Sequence, residues 1–170
     1  MGFALIDWYF GAPRRAFALI FAACVAMLAF GMYLQHVVGL EPCPMCIVQR
    51  YAFIAVGVVA LVAAIHGPRE RGRIAYSSLI VLFAIAGAGV AIRHSYLQHY
   101  PPKMETCGTD LEFLLDTFPL TQALPKIFAG SGSCSAVTWK FLGLSIPEWS
   151  LVWFVIFVVL AIWAARRRVR

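Results

Sequence analysis

Five cysteines, Cys24, Cys43, Cys46, Cys107 and Cys134, are the residues of this 170-residue chain best suited to carry chemistry. Cys43-Pro44-Met45-Cys46 is a C-x-x-C, a spacing that lets two sulfurs bond each other or share a metal ion and that often lowers one thiol's pKa. In the first turn of a helix Cys46 gains thiolate character from the helix dipole. Arg50 follows four residues later, on the same helical face. Cys107 and Cys134 lie 27 residues apart, and a disulfide closing that ring stabilises the ordered segment by about 3.6 kcal/mol through chain entropy. Three chemistries compete. The two pairs form a thiol–disulfide exchange relay, or the soft sulfurs (with Met104 near Cys107) handle Cu(I) in the membrane, or both pairs are structural staples in a non-catalytic scaffold.

The elements that hold these residues follow from composition. Apolar residues make up 62% of the chain and charged residues 13%, against roughly 45–50% and about 25% in soluble domains. Mean hydropathy is +0.81. These values exclude a soluble globule and a disordered chain. Four runs, residues 16–34, 47–65, 74–92 and 149–165, carry almost no charge and approach the roughly 20 residues that cross a bilayer. Without water to satisfy the backbone, each must be helical, and none alternates with the period of two that a barrel strand shows. The expectation is an all-α membrane protein, a bundle of four transmembrane helices forming a single domain over residues 1–170. The first run is too long for a signal-peptide core, and Cys24 lies inside it rather than after it, so it reads as a span. Cys24 itself reads as a small packing residue.

Basic residues orient the bundle. One side holds Arg14, Arg15, Arg69, Arg71, Arg73, Arg166, Arg167, Arg168 and Arg170; the other holds only Arg50, Arg93, Lys103, Lys126 and Lys140. The net charge of +6 therefore reflects membrane topology rather than nucleic-acid binding. Both termini and the short loop at residues 66–73 are expected in the cytoplasm, with loops 35–49 and 93–148 facing outward. Four of the five cysteines fall in those outward loops, as expected where the compartment is oxidising. In the second, longer loop, Leu111, Leu114, Leu115 and Phe118 recur at helical spacing, which fits a short amphipathic helix lying in the membrane surface or packed on the loop's own core. Arg50, at a membrane boundary, either snorkels to the interface or marks a site. Trp149, Trp153 and Trp163 read as interface anchors. Tyr33, Tyr51, Tyr96 and Tyr100 lie near the outer boundary, as anchors or as pocket lining. His36, His66 and His99 read as loop and boundary residues.

A resemblance becomes specific at this point. Glu41-Pro42-Cys43-Pro44-Met45-Cys46-Ile47-Val48-Gln49-Arg50, His94-Ser95-Tyr96-Leu97-Gln98-His99-Tyr100-Pro101, Thr106-Cys107, Gly130-Ser131-Gly132-Ser133-Cys134 and Trp139-Lys140-Phe141-Leu142-Gly143-Leu144 resemble, in order and over nearly the whole chain, the disulfide bond formation protein B (DsbB) family. The resemblance implies an enzyme of the bacterial inner membrane. Its catalytic cysteines are Cys43, Cys46, Cys107 and Cys134, and its cofactor is ubiquinone (menaquinone as the alternative), met by Cys46, Arg50 and His94. It implies a periplasmic DsbA-like thiol oxidase as partner, attacking the Cys107–Cys134 disulfide at Cys107, after which Cys134 attacks Cys43 and Cys46 faces the quinone. By itself His94 is equally an interfacial residue. The dipeptide Pro44-Met45 differs from that of some members, which bears on the potential of the C-x-x-C rather than on its role. An exchange relay also explains the location: oxidising a partner near about −120 mV needs a sink that a dissolved thiol pool cannot provide and a membrane quinone can.

Overall fold

A computed structural model of the chain describes residues 13–101, 132–135, 137 and 139–166. Cys107, Met104 and the expected amphipathic helix at residues 111–118 lie outside the described residues.

Three long helices come first: α1 (Pro13–His36), α2 (Pro44–His66) and α3 (Glu70–His99). A single turn, α4 (Gly132–Ser135), precedes a two-residue-per-strand hairpin, β1 (Lys140–Phe141) and β2 (Leu144–Ser145), and the last long helix is α5 (Ile146–Arg166). The four long helices are each long and apolar enough to cross a membrane, so this is a multi-pass membrane protein. All four expected spans are present. The third runs seven residues past the expected end at residue 92. Charge at Arg93 does not stop it, because the Arg93 guanidinium lies 5.6 Å from the Tyr96 ring centroid one turn on, a cation–π contact that keeps the charge at the surface. The hairpin was not expected from the sequence. Its two-residue turn has Leu142 at φ 52° and Gly143 at φ 83°, the left-handed pair that suits the twist of tight hairpins.

Helix ends are closed by specific groups, as an apolar surrounding demands. α2 starts with Cys43 as N-cap and Pro44 just inside, where its missing N–H costs nothing. It ends at Gly67 in the left-handed conformation, whose N–H bonds the Ala63 carbonyl. Arg14 of α1 satisfies two more carbonyls there, donating from Nε to Ala64 O (3.0 Å) and from Nη2 to Ile65 O (3.3 Å). α5 begins with the carboxylate half of a capping box: the Ser145 N–H and hydroxyl both donate to Glu148 Oε2 at 2.6 and 2.9 Å.

α3 packs chiefly on α5 and α2, α2 also on α1, and α1 touches α5 only lightly. The shared core joins Ala16, Phe17, Ile20 and Cys24 of α1 to Phe53, Val56, Ala60 and Ala63 of α2, Ile80, Ala84 and Ala91 of α3, and Phe154, Phe157, Ala161 and Ala164 of α5. Cys24 is fully buried against Gly57 of α2, where an added Cβ would stand 3.2 Å from Cys24 Cβ; the thiol packs where two helices approach closely. Phe53 stacks on Phe154 at 4.4 Å and meets Phe157 edge-on at 6.0 Å. Gly87 makes room for this stack, since a Cβ there would sit 2.4 Å from Phe154 Cζ. The ring is held by Phe53 and cannot retreat. Gly87→Ala should therefore cost about 1–3 kcal/mol by overpacking, while Gly89→Ala, whose Cβ meets nothing within 4 Å, should stay within about 0.5 kcal/mol. Thermal unfolding of both variants in detergent reads the contrast; equal midpoints would refute this packing.

Candidate active site

The first turn of α2 builds the site. Cys43, with φ −67° and ψ 160°, stands just before the helix, and its sulfur accepts the Cys46 N–H at 3.3 Å. Cys46 thus lies in the first turn, as the sequence reading expects, and its sulfur is 2.8 Å from that of Cys43. Neither forms a disulfide in this structure, and Cys24 is likewise a free thiol. Cys134, carried by the single turn α4, is fully buried and shares one small cluster with Cys43, Met45 and Leu97. Its side chain hydrogen-bonds Cys43. Three of the four expected relay cysteines therefore meet, from segments some 90 residues apart in sequence. That contact with Cys134, then the one with Cys46, then burial, push the Cys43 thiol well above its ordinary range.

His94 of α3 joins the same cluster although it is nearly fully buried. Its Nε2 is 3.6 Å from Cys43 Sγ, and its Nδ1 is 3.1 Å from the Gln49 amide nitrogen. With that nitrogen donating, Nδ1 accepts, the ring proton sits on Nε2, and it points at the Cys43 sulfur. The interfacial reading of His94 does not hold. Gln49 was part of the sequence motif but had no role assigned to it. Its signal was its place three residues after Cys46, on the face that turns inward.

Arg50 is anchored rather than snorkelling. Its Nη1 donates to Gln35 Oε1 at 2.5 Å and its Nη2 to the Gly31 carbonyl at 3.0 Å, both on α1. Arg50, Cys46, Gln49, His94 and Phe53 all line one cavity of about 400 Å³ at this end of the bundle. Its other walls are mostly apolar, from Met27, Leu28, Phe30 and Leu34 of α1 and from the aromatic rings of Trp139, Phe141, Trp149 and Trp153, with Glu41, Gln98 and Ser150 as the further polar residues. Trp149 and Trp153, expected as interface anchors from their position near a span end, also form pocket walls. Trp149 Nε1 donates to the Phe141 carbonyl at 3.0 Å, and Trp139 packs edge-on against Phe30 at 5.5 Å and over Phe141 at 5.9 Å, so the hairpin closes one side. Tyr33, Tyr51, Tyr96 and Tyr100 are exposed and do not line it. Gln98 does, and its side-chain oxygen is buried without a hydrogen-bond partner. His99, read from sequence as a boundary residue, lies 3.9 Å from Glu148 and bridges α3 to the start of α5.

The comparisons agree with this arrangement. The family profile described as "Disulfide bond formation protein DsbB" matches residues 13–164. A protein of Aromatoleum aromaticum named "Disulfide bond formation protein B" is 56% identical over 155 residues, covering 91% of this chain and 93% of the relative. A protein of the same name from Azoarcus sp. is 56% identical over 158 residues, covering 92% and 95%. One from Saccharophagus degradans is 45% identical over 156 residues, covering 91% and 94%. These names give the Cu(I)-handling reading no support. With four apolar helices, a buried cysteine cluster at one end and likeness along almost its whole length, the chain belongs to the DsbB family of disulfide bond formation proteins, membrane-embedded disulfide oxidoreductases.

Proposed function

We propose that this protein reoxidises a periplasmic DsbA-like dithiol oxidase and delivers the two electrons to the quinone pool of the bacterial inner membrane, ubiquinone or, alternatively, menaquinone. The observation that carries this reading is the apolar cavity that brings Cys46 together with Arg50 and His94. A volume of about 400 Å³ suits a flat headgroup, the aromatic walls suit its ring, the Arg50 guanidinium can donate to its carbonyl oxygens, and the partnerless Gln98 oxygen can accept from a hydroxyl of the reduced ring. A quinone bound there supplies the oxidising power, taking two electrons and two protons. The residues do the rest. A partner thiolate bonds to Cys107 of the Cys107–Cys134 disulfide and releases Cys134. The Cys134 thiolate bonds to Cys43 and releases Cys46, facing the cavity. The hydrogen bond between Cys134 and Cys43 supports that step. Arg50 stabilises negative charge developing at Cys46 and at the acceptor's oxygen, and His94 holds a proton at Nε2 beside Cys43. The partner's second thiolate then attacks the mixed disulfide and frees Cys107, which bonds to Cys134 and frees Cys43; Cys43 and Cys46 close their disulfide again as two electrons and two protons pass to the acceptor, so that, net, a dithiol becomes a disulfide.

In the bilayer, both termini and the loop between α2 and α3 face the cytoplasm, as the arginine imbalance requires. A reporter fused after Arg170 should therefore report cytoplasm, and one inserted between residues 119 and 132 should report periplasm. A periplasmic C-terminus would sink the relay, because its thiols would face a reducing compartment.

The thiols divide the work. Cys107→Ser should abolish capture of the partner, and Cys134→Ser should trap a mixed disulfide between Cys107 and the partner, visible on non-reducing gels. Cys24→Ser should leave turnover nearly intact; a Cys24→Ser enzyme as inactive as Cys46→Ser would show that the buried thiol of α1 does more than pack.

Arg50→Gln keeps polarity and removes the fixed charge. Loss of one charge-assisted contact is worth about 1.5–3 kcal/mol, so the quinone step should slow roughly 10- to 150-fold with a raised apparent KM for quinone. Exchange between Cys107 and the partner should stay near normal. Stopped-flow measurement of the two half-reactions decides: slowed partner exchange with unchanged quinone reduction would assign Arg50 to the loop instead.

A further inference from the structure

Redox exchange uses Cys43 and Cys46 in turn, yet in the thiol form they offer something exchange does not need. Cys43 Sγ, Cys46 Sγ and a ring nitrogen of His94 all lie within 4.8 Å of one another. Within that set the sulfurs are 2.8 Å apart and His94 Nε2 is 3.6 Å from Cys43 Sγ. Ligands at about 2.3 Å (sulfur) and 2.0–2.1 Å (nitrogen) from a tetrahedral zinc ion stand roughly 3.5–3.8 Å from each other, so the Cys43–His94 pair is already at ligand spacing and the sulfur pair must open by about 1 Å. Cys134 shares the same small buried cluster as Cys43. We propose that the reduced protein binds a borderline-soft divalent cation, Zn2+, through Cys43, Cys46 and His94 Nε2, and that this locks the enzyme in its dithiol state.

Three observations beyond the ligand set support capture. The donor chemistry is selective: two sulfurs and an imidazole suit Zn2+ and reject Mg2+ and Ca2+, which require oxygen. Charge is conserved, since two thiols release two protons as one Zn2+ enters, and a site at the edge of a membrane gains no net charge. The imidazole already has an outer partner. Gln49, itself nearly fully buried, faces His94 Nδ1 at 3.1 Å. On binding, Nε2 gives its lone pair to the ion, the ring proton resides on Nδ1, and the Gln49 amide turns to accept it through its oxygen. Such outer hydrogen bonds fix the tautomer of metal-bound histidines. The ion here is an inhibitor of the reduced state rather than cargo. Sulfurs that coordinate it are no longer available to close the Cys43–Cys46 disulfide.

The test uses the full-length protein in lipid nanodiscs, reduced under nitrogen and titrated first with Co2+ as a spectroscopic stand-in and then with Zn2+. One Co2+ per chain should bind with a sulfur-to-cobalt charge-transfer band and intense tetrahedral d–d bands, and one equivalent of Zn2+ should bleach both. The disulfide form should show neither, and Cys107→Ser should show both. Gln49→Leu should weaken Zn2+ binding about 10- to 100-fold, whereas Gln49→Glu, a better acceptor for Nδ1–H, should tighten it. Zn2+ should stop turnover of the reduced enzyme, and a chelator should restore it. The site is refuted by equal binding in the disulfide form, by a cobalt spectrum without the sulfur band, or by Gln49 variants that leave affinity unchanged. Binding without loss of turnover refutes the inhibitory role. Metal binding is read without any quinone, so its failure is separate from failure of the proposed electron route, which metal-free turnover tests.

Discussion

The first turn of α2 is where this molecule's chemistry is fastened to its fold. Pro44 brings no N–H to that turn, and the Cys43 sulfur takes the Cys46 N–H. The helix therefore has to begin there, and everything after it falls into register. Positions 46, 49, 50 and 53 share one flank of a helix with 3.6 residues per turn, and Cys46, Gln49, Arg50 and Phe53 all line the cavity. A start one residue later would swing the C-x-x-C away from His94 and Arg50 away from α1.

Arg50 and His94 are tolerated in this apolar bundle because each has a partner on another helix. Arg50 is held by Gln35 and the Gly31 carbonyl of α1, and His94 by Gln49 of α2. Leaving such a group unpaired when buried costs about 1–3 kcal/mol, so these bonds set which helix faces which, as well as preparing the site. At the far end, Arg14 works differently, closing the exposed carbonyls at the end of α2. Here a charge near the membrane boundary supports the fold and touches no chemistry.

The cavity exists because packing is uneven along the bundle. Alanines from all four helices pack the shared core, and the Phe53–Phe154–Phe157 stack closes it beneath the cavity. At the cysteine end, aromatic rings from the hairpin and α5 wall the gap without filling it. Disulfide chemistry is thereby set beside an apolar chamber, where charge interactions are stronger than in water.

Much of this was legible in the residues. Uninterrupted apolar runs near the bilayer thickness fixed the number of spans, since no other backbone arrangement survives without water. The C-x-x-C at a helix start and Arg50 one turn on were local features, readable from helical periodicity. What could not be read was everything that depends on contacts between distant segments. Charge at Arg93 suggested a helix end, but a cation–π contact to Tyr96 let α3 continue and carry His94 inward. That Trp149 and Trp153 also wall a cavity was hidden, because composition cannot say which face of an apolar helix turns to lipid and which to a cavity. The pairing of Gln49 with His94, and the arrival of Cys134 beside Cys43, join residues 45 and 91 positions apart. The sequence by itself determined the number of spans and the C-x-x-C at a helix start, because these follow from local periodicity and transfer energy. Only tertiary structure decided which reactive atoms meet, because helix rotation and loop return are set by packing across the whole bundle.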